Sequence, residues 1–104
     1  MRIVWTKPAI EDVDAIWEYL KERSSNAAEQ VQDTILKAVD RLAEFPYLGR
    51  PGHLAGTREL VIARYPYIVI YGVVEGVEPT QTEIVIYHVY HGAQNWRQAL
   101  DEEQ

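Results

Sequence analysis

The feature that most constrains this chain is a change of hydrophobic period near its midpoint. Before Phe45 the apolar residues recur at helical spacing; after Thr57 they alternate or run on, with β-branched and aromatic types dominant. A helical first half and a stranded second half each leave an apolar face in water when alone. They must fold against each other as one α+β unit. The 104 residues make a single domain, able to bury roughly two-thirds of its unfolded surface without disulfides or a structural metal.

Arg2 to Trp5 reads as a first strand. Thr6 is placed to cap a helix whose first turn holds Pro8, where a missing N–H costs nothing. Ile10, Val13, Ile16, Trp17 and Leu20 fall at helical spacing up to about Arg23, with Glu11, Asp12, Asp14, Glu18 and Glu22 elsewhere on the surface. Ser24 to Asn26 break the pattern. Asn26 with Glu29 resembles a capping box for a second helix, which places Val31, Ile35, Ala38, Val39 and Leu42 on one side and stops at Phe45-Pro46. So short a break predicts an antiparallel helical hairpin.

Phe45 to Thr57, rich in Gly and Pro, reads as an ordered loop, since Tyr47 and Leu48 are too apolar to stay solvated. Arg58–Arg64, Tyr67–Val74 and Glu83–His91 read as strands divided by the turn signals at Tyr65-Pro66 and around Glu78-Pro79. With the first strand they form a mostly antiparallel sheet of four, and the hairpin packs on one face. The last strand is apolar on both faces, with Val85, Tyr87 and Val89 set against Ile84, Ile86 and Tyr90. The second face therefore calls for a partner or a loop to cover it. Residues 1–97 form the domain and residues 98–104 an acidic tail.

Composition narrows the chemistry. The absence of cysteine excludes disulfides, a thiol nucleophile and thiolate zinc, and makes the reducing cytoplasm the natural compartment. No segment has the roughly 18 apolar residues of a membrane span, and charges at Lys7, Glu11 and Asp12 break any signal core. No membrane partner is expected. His88 and His91, three apart on a strand, point to opposite faces and cannot share a metal; no metal or cofactor is expected. Glu59 and Glu83 show no acid–base spacing, no glycine loop opens a helix as a phosphate cradle must, and Ser24 and Ser25 have no histidine near them in sequence.

The formal charge of −6 is uneven. Residues 1–44 carry 6 basic and 9 acidic groups, residues 45–97 carry 4 of each, and Asp101, Glu102 and Glu103 close the chain. The acidity thus belongs to the helices and tail. It leaves the sheet, with Arg50, Arg58, Arg64, Arg97, His53, His88 and His91, free to hold a local positive patch.

Four segments in this order carry a resemblance: Arg41–Gly52 (RLAEFPYLGRPG), Gly56–Val61 (GTRELV), Pro66–Tyr71 (PYIVIY) and Val89–Trp96 (VYHGAQNW). Over residues 2–97 the chain resembles the RelE/ParE superfamily of bacterial toxins from toxin–antitoxin pairs. The resemblance implies a helical hairpin on an antiparallel sheet and a cognate antitoxin that wraps the toxin. It also implies one of two targets. RelE-like members cut mRNA on the ribosome with basic side chains on the phosphate; ParE-like members share the fold and poison DNA gyrase. Where the ribonucleases commonly carry an arginine after the position of Tyr67, this chain has Ile68, and its isoelectric point near 4.9 contrasts with their basic character. Both departures favour the ParE-like branch: a toxin that inhibits gyrase by binding and is not itself a hydrolase.

On that reading Arg58, Arg64, His91 or the segment around Trp96 makes the inhibitory contact. The alternative, a ribosome-dependent endoribonuclease, uses His91 as general acid or base, Tyr90 or Tyr87 in assistance and Arg58 or Arg64 on the phosphate; a third reading is a non-toxic remnant that only binds antitoxin. The antitoxin is expected as a helix or extended arm in an apolar groove drawn from Leu20, Ile35, Leu60, Ile68 and Val85, residues the pattern assigns to either groove or core.

Overall fold

In a computed structural model, which describes residues 1–103, the chain forms β1 (Arg2–Trp5), α1 (Lys7–Lys21), α2 (Ser25–Asp40), β2 (Arg50–Pro51), β3 (Arg58–Val61), β4 (Tyr67–Val74), β5 (Glu83–His91) and α3 (Trp96–Glu102). The strands make one sheet in the order β1-β5-β4-β3-β2, with β1 parallel to β5 and all other pairs antiparallel. The expected architecture holds, with five strands in place of four. The added one is the two-residue β2, in which Arg50 and Pro51 pair with Glu59 and Arg58. Proline is admissible there because the strand lies at the sheet edge.

Thr6 caps α1 as expected, its Oγ1 accepting from Ala9 N at 3.2 Å, with Pro8 in the first turn. The α2 cap is Ser24, not Asn26: Ser24 is extended (φ −166°, ψ 115°) and its Oγ accepts from Ala27 N at 3.2 Å, which puts Asn26 inside the helix. Three residues, Glu22 to Ser24, link the helices, as many as the sequence suggested but set two positions earlier. β3 stops at Val61 and not at Arg64, because Arg64 turns the chain with a left-handed φ of 75° that no strand residue adopts.

Val13, Val31, Ile35, Val39 and Leu42 of the helical layer meet Leu60, Val69, Tyr71, Ile84, Ile86 and Val89 of the sheet in the main core. A smaller core lies on the opposite face, where Trp96 and Leu100 of α3 pack on Ile70 and Tyr90. The second face is thus covered by the chain's own C-terminal segment. The expected tail boundary after residue 97 falls inside α3, and Leu100 is only 3% exposed. Gln104, the last residue of the expected tail, lies outside the described residues.

A bulge sets which face each β5 residue serves. Tyr71 pairs with Ile86 and Ile70 with His88, leaving Tyr87 without a direct partner. Strict alternation would group Val89 with Val85 and Tyr87, and Tyr90 with Ile84 and Ile86. The extra residue reverses the last part, so Ile84, Ile86 and Val89 enter the main core and Tyr90 joins the smaller one.

Candidate functional site

β1 ends at Trp5, opposite Ile86, so the outer edge of β5 runs on without a strand neighbour. Thr6 and α1 take over its backbone groups. Thr6 donates from N to Ile86 O (3.1 Å) and from Oγ1 to Tyr87 O (3.1 Å), and Asp12 Oδ2 accepts from Val89 N (2.9 Å). Asp12 Oδ2 also lies 2.9 Å from His88 Nδ1. These contacts hold α1 across the end of β5 and leave a cleft of about 620 Å³ between the helical hairpin and the sheet end.

The cleft is lined by Ile16, Tyr19 and Leu20 of α1, Ala27 and Val31 of α2, Tyr65 to Tyr67, and Val89 to His91. His91 pairs with Tyr67 across the strands, and their rings meet edge to face at 5.4 Å. The turn after β5 fixes the imidazole. His91 N donates to Gln94 Oε1 (2.7 Å), Gly92 N to Pro66 O (2.6 Å) and Ala93 N to His91 Nδ1 (3.0 Å). With Nδ1 accepting, the neutral ring carries its hydrogen on Nε2.

Burial raises the Tyr67 phenol above its ordinary range, with the Tyr19 phenol adding to the effect. Burial, then the carboxylates of Glu103 and Asp12, push Tyr90 up to about 12. Both phenols are therefore neutral hydrogen-bond donors at physiological pH. No lysine or arginine lines the cleft among the described residues. It offers apolar surface and a few polar groups, and the nearby Arg23 guanidinium lies over the Tyr19 ring at 3.7 Å and donates to Tyr19 O.

Of the residues proposed from sequence, the cleft gathers His91, Tyr90 and Leu20. Arg58 is committed elsewhere: its Nε (2.9 Å) and Nη2 (2.6 Å) donate to Gly49 O and its guanidinium lies over Tyr47. Arg64 is exposed in the turn between β3 and β4. Ile35 (0% exposed) belongs to the main core and Trp96 (3%) to the smaller one, while Leu60 (7%) belongs to the main core and also lines a groove between α2 and β3. Ile68 packs against the smaller core and Val85 is half-buried between Val4 and Gly72.

Sequence reasoning passed over Asp12 and Tyr67, which earn their places only through the edge of β5 and the register of β4. It also passed over a second groove, of about 650 Å³, between α2 and β3, where Lys37, Arg41, Leu48 and Val61 line the wall. Leu48 and Val61 are 44% and 55% exposed and Tyr47 58%, so the expectation that Tyr47 and Leu48 would not stay solvated fails. Those two, with Tyr47, are the signal that was available: large apolar residues in a loop and at a strand end.

A helical hairpin on this sheet, with an apolar cleft at its open end, defines a toxin domain of the RelE/ParE superfamily. The model of the ParE toxin family, described as the ParE toxin of the type II toxin–antitoxin system parDE, matches residues 3–96. The chain belongs to that family. It is 42% identical to the putative toxin Y4kP of Sinorhizobium fredii over 95% of this chain and 96% of that protein. It is 38% identical to toxin RelE2 of Caulobacter vibrioides over 73% of this chain and 84% of that one. A solved structure from the chromosomal ParDE toxin–antitoxin system of P. aeruginosa superposes with a TM-score of 0.74 at 28% identity, covering 88% of this chain and 95% of that one. A YoeB/ParE toxin from Agrobacterium tumefaciens shares the fold, with a TM-score of 0.51 at 19% identity over 88% and 98%.

Proposed function

We propose that this ParE-family toxin acts in the cytoplasm by binding DNA gyrase or a related topoisomerase, and that a cognate antitoxin neutralises it. The observation that carries the choice of target is the missing cation. A phosphoryl-transfer site needs fixed positive charge where negative charge develops. Here Ile68 packs towards α3, Arg58 is spent on the carbonyl of Gly49, and the cleft beside His91 has no lysine or arginine among the described residues. The antitoxin is proposed to lay a helix in this cleft against Leu20, Ile16 and Tyr19, an apolar wall with polar groups at its rim. A supercoiling assay with purified gyrase and antitoxin-free toxin tests the target. Loss of supercoiling is expected, and unchanged supercoiling at large molar excess overturns the reading.

One observation favours the ribonuclease reading as the second choice: the turn at Gly92–Gln94 fixes the His91 ring against the neutral phenol of Tyr67. On that reading transcripts are cut in a translating extract and His91→Ala abolishes the cutting. Intact transcripts remove it.

A further inference from the structure

The polar groups of the cleft are one-sided. Tyr67 is 6% exposed, and its hydroxyl meets no hydrogen-bond partner among the described residues, although every wholly buried side-chain nitrogen or oxygen there has one. The small area that Tyr67 keeps therefore includes its hydroxyl, and the opening it faces is the cleft between the helical hairpin and the sheet end. His91, its cross-strand partner, spends Nδ1 on Ala93 N and has Nε2 left to donate. Tyr19, on the α1 wall, brings a further hydroxyl, close enough for the two phenols to act on each other.

Acceptors are scarce. Gln94 Oε1 is taken by His91 N at 2.7 Å, and Asp12 Oδ2, on the only carboxylate lining the cleft among the described residues, is engaged by Val89 N and His88 Nδ1 at 2.9 Å each. The guanidinium of Arg23, 3.7 Å from the Tyr19 ring, puts a positive charge beside the same wall. Desolvated donors with a cation at their side fit a group that only accepts and is negatively charged.

We propose that the antitoxin helix carries an Asp or Glu whose carboxylate is received by the Tyr67 hydroxyl and His91 Nε2, an inference that rests on the reading that this helix lies in the cleft. The rings of Tyr67 and His91 meet at 5.4 Å, so both donors stand at the sheet end of the cleft. Apolar residues of the helix pack on Ile16, Leu20 and Val31, and the carboxylate is the charged group that turns inward. An antitoxin without it buries the Tyr67 hydroxyl with no acceptor, so the same contact discriminates against non-cognate partners.

The test titrates the full chain with its cognate antitoxin, the two purified apart after co-expression, by calorimetry. Tyr67→Phe is expected to weaken binding about ten- to a hundredfold. Because the free toxin makes no use of this hydroxyl, its unfolding in urea should stay as in the parent. His91→Asn, whose Oδ1 still accepts from Ala93 N, should also weaken binding. Each Asp and Glu of the antitoxin's toxin-bound segment is then replaced singly by Asn or Gln. One of these is expected to match the Tyr67→Phe loss and to add little to it, the mark of a direct pair. Unchanged binding by Tyr67→Phe, or losses that simply add for every acidic residue, overturns the proposal. Leu20→Asp separates it from the reading beneath it. If Leu20→Asp weakens binding and Tyr67→Phe does not, the helix lies in the cleft without this contact; if Leu20→Asp leaves binding undiminished, the antitoxin docks elsewhere and both fall.

Discussion

The hydroxyl of Tyr71 accepts from Gly49 N at 2.8 Å and donates to Pro46 O at 2.8 Å, pinning the loop after α2 to the middle of β4. The ring is fully buried. A Cβ on Gly49 would lie 2.7 Å from both Tyr71 Cε1 and Glu59 O, so the close approach requires glycine. Tyr71→Phe strands a buried N–H and a carbonyl at once. A loss of about 1–3 kcal/mol in unfolding free energy is expected, read by urea denaturation, and Gly49→Ala should destabilise the same loop.

Asp12 is the hinge between α1 and the sheet. Asp12→Ala leaves Val89 N without its partner and removes the carboxylate from His88 Nδ1. About 1–3 kcal/mol should be lost, whereas Asp12→Asn keeps an acceptor for Val89 N and loses less. Equal losses in the two variants would show that the backbone contact is not the one that matters.

Stability should fall in alkali. Tyr90 is raised from its ordinary value near 10 to about 12 in the folded state. The folded protein thus holds the phenolic proton more tightly than the unfolded chain does. That contribution is fully present below about 10 and is lost between about 10 and 12. Tyr90→Phe should flatten this part of the stability–pH curve, measured by denaturant titration at a series of pH values.

Two substitutions separate core from cleft. Ile35→Ala empties a site of 0% exposure in the main core and should cost about 2–5 kcal/mol. Leu20→Asp, on the partly exposed wall of the cleft, should cost less stability and weaken capture by the co-expressed antitoxin in a pull-down. Undiminished capture would move the proposed docking site elsewhere.

The cap of α2 gives a local check. Ser24→Ala removes the side-chain acceptor for Ala27 N and should cost about 1 kcal/mol, while Asn26→Ala, inside the helix, should cost nothing or stabilise slightly. Thermal unfolding of the two variants decides between them.

The periods of the two halves and the turn residues made the hairpin, β1, β4 and β5 readable, because each of these elements owes its existence to a pattern along its own residues. β2 was not readable. It has two residues and exists because Glu59, 4% exposed, draws Arg50 Nε (2.8 Å) and His53 N (2.9 Å) to itself across the chain. The bulge at Tyr87 was equally hidden, since a single extra residue leaves the composition of β5 unchanged and alters only which side chains share a face. At the cleft, His91 and Tyr90 were visible as chemistry-bearing residues at a strand end. Asp12 looked like one more acidic group on a helix, and its role depends on β1 stopping at Trp5.

The parallel pairing of β1 with β5 has a consequence for synthesis. Among the described residues β1 has no sheet neighbour but β5, and Arg2 pairs with Glu83. At roughly 5–20 residues per second, the first strand waits several seconds for its partner to be made. The helical hairpin has by then been outside the ribosome with its apolar side uncovered, and the cleft does not exist until Val89 meets Asp12. A nascent chain that has not yet reached Val89 therefore carries helices and a first strand but no cleft.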